Sequence, residues 1–337
     1  MSFPHRRPTA MALAALLVAA IVAACGAAEP SVTPTKLVVG LGYIPSVQFA
    51  QFYLAQQAGY YADAGLEVEF QNQIDPDLIP LVGAGKIDVG IGDGTSVMPA
   101  VSNGIPVRYI ATIYGRFPNI VFAKASSGIK TASDLAGKRI GTPGRYGSGW
   151  ILLQAMLGTG GLTTGDVEII EYPDFTQRAA VEQGAVDAAT GFSNNEPVQM
   201  ERGGTATVVL HIDDAVALPG PGLIAGTSTL EAKHDAIAGF VAATLRAMDE
   251  IKGNPKAGLD AAIKAVPELA KDRDAQAAVL AATIESWSGP LQATLGLGAI
   301  DSQGWTASIK VLDDMKLLLK PVEVEQLVRT DLLPARD

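Results

Sequence analysis

The sequence is poorest in the residues that most often carry covalent chemistry. It holds one cysteine and three histidines in 337 residues. A single thiol cannot close an intrachain disulfide, so a packed apolar core must hold the chain together. No Cys/His spacing suggests a zinc site, and no motif assembles Ser, His and Asp as a hydrolase would. Cations are also in deficit: 25 Lys and Arg face 35 Asp and Glu, for a net charge of −10. That deficit argues against nucleic acid, whose phosphates require clustered cations. It says little about a pocket, because net charge bears on solubility and encounter. Long apolar runs are scarce too. Residues 11–24 form one, and it falls short of the ~20 residues a spanning helix needs.

That short run has a recognisable setting. His5, Arg6 and Arg7 precede it without an acid, and small residues close it. A basic start, a short apolar core and small residues before a cut site read as a secretory signal over residues 1–25. Its last four residues, Val22-Ala23-Ala24-Cys25, resemble the lipobox of bacterial lipoproteins. The resemblance implies acylation of Cys25 (palmitate among the chains) and a protein anchored by lipid outside the cell membrane. Residues 26–35 then read as a flexible tether.

From Lys36 onward short apolar strands alternate with helices, which predicts a parallel α/β architecture. A first run places strands at 37–43, 67–71, 89–92, 107–114 and 120–125, with helices at 47–58, 75–83 and 95–102. A second run begins with a strand at 138–142 and proceeds through helix 149–158, strand 167–172, helix 176–183, strand 188–192, helix 196–202 and strand 207–212. Past Pro219-Gly220-Pro221-Gly222, one strand at 223–226 precedes helices at 229–252, 255–265, 272–287 and 302–319. Two α/β runs followed by helices fit two lobes, without heptads, low-complexity runs or sequence repeats.

A resemblance attaches to a series of motifs in fixed order. They are Gly42-Tyr43-Ile44-Pro45-Ser46, Phe52-Tyr53-Leu54-Ala55, Gly59-Tyr60-Tyr61, Gly65-Leu66-Glu67-Val68 and the stretch from Gly83 to Ile91. Asp134-Leu135-Ala136-Gly137-Lys138 and Asn195-Glu196-Pro197 follow. Together these resemble the extracytoplasmic solute-binding proteins of the alkanesulfonate, nitrate and thiamine-pyrimidine ABC importer superfamily, over most of residues 36–320. The segment 144–150 (GRYGSGW), Phe175-Thr176-Gln177 and the stretch from Gly191 to Gln199 are most similar to the branch that binds riboflavin and thiamine pyrimidine precursors. The resemblance implies a two-lobed periplasmic-binding-protein fold of type II, with two parallel-rich sheets flanked by helices and a two-strand hinge. Lobe one is expected at 36–125 plus 223–320, lobe two at 126–222, and a C-terminal tail at 321–337. It also implies a monomer that captures riboflavin, passes it to ABC permease subunits and uses no cofactor. A hydroxymethyl- or formylamino-pyrimidine is the alternative ligand, with a sulfonate behind it.

Ligands of open α/β sheets bind beyond the carboxyl ends of strands, and the candidate residues all occupy such loops. Tyr43 and Ser46 follow the first strand, as ring and hydroxyl contacts or as a strand end and a helix cap. Phe49 lies four residues before Tyr53, a spacing that also describes core. Asp93 and Thr95 follow the third strand, where Asp before Gly is also ordinary turn chemistry. Tyr114 and Arg116 follow the fourth, with Arg116 offering a planar cation. Arg145, Tyr146 and Ser148 sit on a glycine-rich strand-to-helix turn that lacks the Gly-Lys-Ser/Thr of a phosphate loop. Trp150 is expected to pack beneath that turn. Phe175 opens a helix, as a ring wall or a staple. Asn195 and Glu196 precede Pro197, which suits a first helical turn, and the Glu196 carboxylate is either a ligand acceptor or a helix-dipole partner.

Two other function classes compete with a receptor. A fungal pyrimidine synthase shares the implied fold, but that enzyme resembles a self-consuming catalyst with a cysteine-rich loop and a histidine donor. Here Cys25 is committed to lipid, and the remaining histidines, His211 and His234, read as surface residues. A sensor would pass ligand occupancy to a partner, and beside the two expected lobes these 337 residues show no signalling domain.

Overall fold

Among the described residues ten strands sort into two sheets of five. The computed structural model describes residues 1–2, 33–72, 78–212 and 218–335. The expected signal, Cys25 and most of the tether lie outside the described residues. Among the described residues no helix is long and apolar enough to cross a membrane.

The first sheet contains β1 (Thr35–Gly40), β2 (Leu66–Gln71), β3 (Val89–Asp93), β4 (Val107–Thr112) and β10 (Pro221–Gly226) in the order β2-β1-β3-β10-β4. The second contains β5 (Asn119–Lys124), β6 (Arg139–Thr142), β7 (Glu168–Glu171), β8 (Ala188–Phe192) and β9 (Thr207–Leu210) in the order β7-β6-β8-β5-β9. In each sheet the first three strands pair in parallel, and one strand from the crossover inserts antiparallel before the edge. The sheets are therefore mixed, with the parallel half built by the βα alternation read in the sequence.

The first crossover departs from expectation. The sequence places the strand at 120–125 in lobe one, yet β5 pairs with β8 and β9 of the second sheet. The chain therefore crosses at 115–118 and is back at the first sheet where β10 begins. There the Tyr114 N–H donates to the Pro221 carbonyl at 2.9 Å. A Cβ on Gly220 would sit 2.9 Å from the Tyr114 carbonyl oxygen, so the close approach needs glycine there. Local patterning specifies that β5 is a strand but not which sheet it joins.

The expected tail at 321–337 is also corrected. Val322, Leu327 and Leu332 are buried, Val328 bridges Tyr109 in parallel, and the Arg329 N–H donates to the Tyr109 carbonyl. This segment covers the outer edge of β4, whose unpaired backbone would otherwise face solvent. The helix expected at 302–319 stops at Asp314, just before Lys316 takes a φ of 61°.

Packing follows the two faces of each sheet. On one face of the first sheet Phe52 and Tyr61 stack on Phe240, with centroids 6.2 and 5.0 Å apart, beside the buried Trp287. A second cluster runs from its opposite face, through Met98, Tyr109, Ile224 and Trp305, to Val121, Ile140 and Leu152 of the second sheet. A third, around Ile120, Phe122 and Met200, covers the far face of the second sheet. Alternate residues of β5 thus serve both faces, which explains its unbroken apolar run.

Candidate functional site

The carboxyl ends of β1 and β3 and the segment after β4 face those of β6 and β8 across a cleft. Its volume is about 1140 Å³, open solvent at the mouth included. Small-molecule sites are typically concave and largely apolar with a few placed polar groups. The apolar walls are aromatic: Tyr43, Phe49 and Tyr114 from the first half, with Tyr146, Trp150, Phe175 and Phe192 from the second. Tyr43 and Phe175 meet edge to face across the cleft, with centroids 4.9 Å apart at 82°. Phe175 holds φ at 59°, a left-handed conformation that is costly for an aromatic residue and recurs at binding sites. Tyr146 folds its ring over Gly144, where a Cβ would lie 2.2 Å from the ring, so the ring can hold this place only over a glycine.

Polar groups fill the floor. Asn119 donates to the Ser148 hydroxyl at 3.1 Å, and that hydroxyl donates to Asp93 at 2.8 Å, joining the two halves. Thr190 donates to Thr142 at 3.1 Å. The side-chain carbonyls of Gln51 and Gln177 accept no hydrogen bond, although both residues are 1% exposed and line the cleft. Buried acceptors of this kind are costly unless a ligand donor or water meets them.

Glu196 is the buried acid of the site, 7% exposed at the start of helix Glu196–Arg202. Its carboxylate accepts the Phe192 N–H at 2.8 Å. Burial raises its pKa above the usual carboxylate range, and the backbone donors of Phe192 and of Glu196 itself only partly offset this. Above its ordinary pKa of 4.5 the folded state holds this proton more tightly than the unfolded chain, so stability falls as pH rises through that window. In Glu196→Gln that contribution is absent. The ligand-free variant is expected to lose less thermal stability than the parent between pH 4.5 and 8. Identical slopes in melts across that range would count against a strained carboxyl here.

Nine of the residues anticipated from the sequence line this cleft: Tyr43, Phe49, Asp93, Tyr114, Tyr146, Ser148, Phe175, Asn195 and Glu196. Four do not. Ser46 turns its hydroxyl to the Gln48 N–H as a helix cap, at 3.2 Å. Thr95 is fully buried behind the loop, on the inner side of helix Gly94–Ser102. Arg116 donates to the Ser288 carbonyl at 3.3 Å. Arg145 pairs with Glu171 at 3.0 Å and lies over the Trp150 ring, which itself faces the cleft. Sequence reasoning missed Gln48, Gln51, Asn119, Gln177 and Thr190. Gln48 and Gln51 did leave a signal, two amides three residues apart in the apolar run 47–55. Asn119 left none, because it begins the strand assigned to the wrong sheet.

Among the described residues no Lys, Arg, His or Cys lines the cleft. His234 bonds Asp235 and Asp331 at the surface. No group of three potential metal ligands occurs among the described residues.

Comparison with known proteins adds the ancestry. The NMT1/THI5-like family model matches residues 46–258. The riboflavin-binding protein RibY of Chloroflexus aurantiacus is 33% identical, over 91% of this chain and 89% of the relative. The 4-amino-5-hydroxymethyl-2-methylpyrimidine phosphate synthase of Legionella pneumophila is 26% identical, over 64% of this chain and 69% of that one. Among solved structures, the alkanesulfonate-binding protein SsuA of Xanthomonas axonopodis pv. citri superposes with a TM-score of 0.68 at 17% identity, over 88% of this chain and 99% of that chain. The fold is thus that of periplasmic binding proteins.

Proposed function

We propose, on the premise that this chain belongs to the NMT1/THI5-like family, that it is the solute-binding protein of an ABC importer and captures riboflavin between its two lobes. The observation that carries this reading is the cleft wall itself. Rings from both halves converge on a site whose remaining contacts are neutral amides, hydroxyls and two carboxylates. A flat heterocycle with a hydroxylated chain uses such surfaces: rings stack, and hydroxyls donate to acceptors such as Gln51 and Gln177. Micromolar binding requires about 8 kcal/mol. Several ring contacts and hydrogen bonds are sufficient in kind to supply it.

Neither half encloses a ligand alone, so contacts with both favour a closed arrangement, with the crossing at 115–118 and the entry to β10 at 218–220 acting as hinges. We further propose that the chain acts as a monomer, docks its closed face on the permease subunits and is held outside the membrane by lipid on Cys25. A thiamine pyrimidine precursor is the second ligand reading, favoured by the kinship with pyrimidine phosphate synthases. Synthase activity itself is disfavoured by a cleft whose described lining offers neither histidine nor cysteine.

Titration of the purified mature protein with riboflavin, read by quenching of flavin and tryptophan fluorescence, tests the reading. Saturation at micromolar concentration or below is expected. The absence of quenching, together with a thermal shift by hydroxymethyl-aminopyrimidine, would transfer the assignment to the second ligand. An intact mass without acyl chains at Cys25 would remove the anchor.

A further inference from the structure

The charge distribution of the cleft carries one step further, resting on the receptor reading above. We propose that the site admits the uncharged form of its heterocycle and rejects the phosphate ester of the same compound, with Asp93 and Glu196 enforcing the choice.

The lining carries these two carboxylates and, among the described residues, no cation. Nearby arginines hold other partners. Arg145 pairs with Glu171 at 3.0 Å, Arg116 donates to a backbone carbonyl, and Arg178 holds Glu182 at 2.8 Å, although its charge also acts on Glu196 and Tyr43 from outside the lining. The segments 73–77 and 213–217, which adjoin β2 and β9 in sequence, contain aspartates but no Lys, Arg or His.

A ligand phosphate without a cation would turn to backbone donors at helix starts. Beside each of the two helix starts in this cleft a protein carboxylate already lies. Ser148, the second residue of helix Gly147–Thr159, donates to Asp93 at 2.8 Å across the cleft. At the other, Glu196 accepts the Phe192 N–H at 2.8 Å. A phosphate entering either position must displace a resident carboxylate or lie beside one. Like-charge juxtaposition in a desolvated site costs several kcal/mol and is a recognised means of excluding a wrong partner. Sulfonates fall under the same exclusion, which separates this cleft by chemistry from the alkanesulfonate-binding protein whose fold it shares.

The test pairs each neutral compound with its ester: riboflavin with riboflavin 5′-phosphate, and hydroxymethyl-aminopyrimidine with its phosphate, titrated calorimetrically into the purified mature protein at fixed salt. The ester of whichever heterocycle binds is expected to bind ~100-fold more weakly or worse. In Asp93→Asn that ratio should narrow by about tenfold, since the Asp93 charge no longer opposes the ester. Equal affinity for a neutral compound and its ester would overturn the selection while leaving the receptor reading intact. Binding of the pyrimidine pair alone would overturn the riboflavin assignment, and the pyrimidine ratio would then decide the selection. Binding of neither pair, or of a sulfonate in preference to both, would overturn both.

Discussion

Replacing Asn194 by alanine is expected to weaken ligand binding by about 30-fold or more while shifting the ligand-free melting temperature only slightly. Asn194 is 1% exposed, sits between β8 and helix Glu196–Arg202, and is absent from the cleft lining. Its side-chain amide nitrogen donates to Gln48 at 3.0 Å and Thr283 at 2.8 Å, with Tyr114 a longer third acceptor at 3.4 Å. All three partners belong to the half built on the first sheet. An amide has two protons to give, so the Tyr114 contact is a shared, weaker one.

If the halves separate when the ligand leaves, these acceptors regain water, and their bonds to Asn194 count only in the closed state. Truncation removes their shared donor and leaves the Gln48 carbonyl there without this partner, at about 1–3 kcal/mol. The closed fraction falls and apparent affinity falls with it, because ligand binding must then supply the closure energy. Riboflavin titration of the variant, alongside its ligand-free melt, checks this. Affinity within threefold of the parent would sink the clasp. A large fall in the ligand-free melt would show that Asn194 supports the fold rather than closure.

Trp305→Ala should produce the largest loss of stability, about 3–5 kcal/mol. Trp305 is 1% exposed in helix Ser302–Asp314 and meets Tyr109 at 4.9 Å between centroids. A Cβ on Gly94 would lie 2.9 Å from its ring, so the indole is wedged beneath the first residue of helix Gly94–Ser102. Alanine would leave a cavity between a sheet, a helix and the C-terminal segment, none of which can collapse independently. Because Asp93 sits immediately before Gly94, the same change should also weaken ligand binding. Denaturant midpoints measure the first effect; a loss below about 1 kcal/mol would mean that the site relaxes around the cavity.

Much of the fold was legible along the chain. The period-two and helical apolar patterns located most of the strands and helices. Gly59 ends a helix at φ 81°, and Pro197 and Pro255 occupy first turns as their chemistry requires. The site was legible where a loop announces itself by composition, as at Tyr43, Asp93, Tyr146 and Glu196. It was not legible where polar residues lie inside apolar elements, as at Gln51, or where a charged residue has more than one partner within reach. Arg145 finds Glu171 and Arg116 a carbonyl, and neither choice is written in the residues beside them.

The sequence by itself determined the α/β alternation, the lack of disulfides and of an obvious catalytic set, and the loops from which a receptor site is made. Those follow from local conformational preference and from composition, which a chain carries at every position. Only the tertiary structure decided that β5 joins the second sheet, that residues 322–332 seal an edge, and that the cleft presents carboxylates and amides without a cation among the described residues. Each of these depends on contacts between segments far apart in sequence, such as Asn194 with Gln48 across 146 positions, and packing rather than periodicity selects such partners.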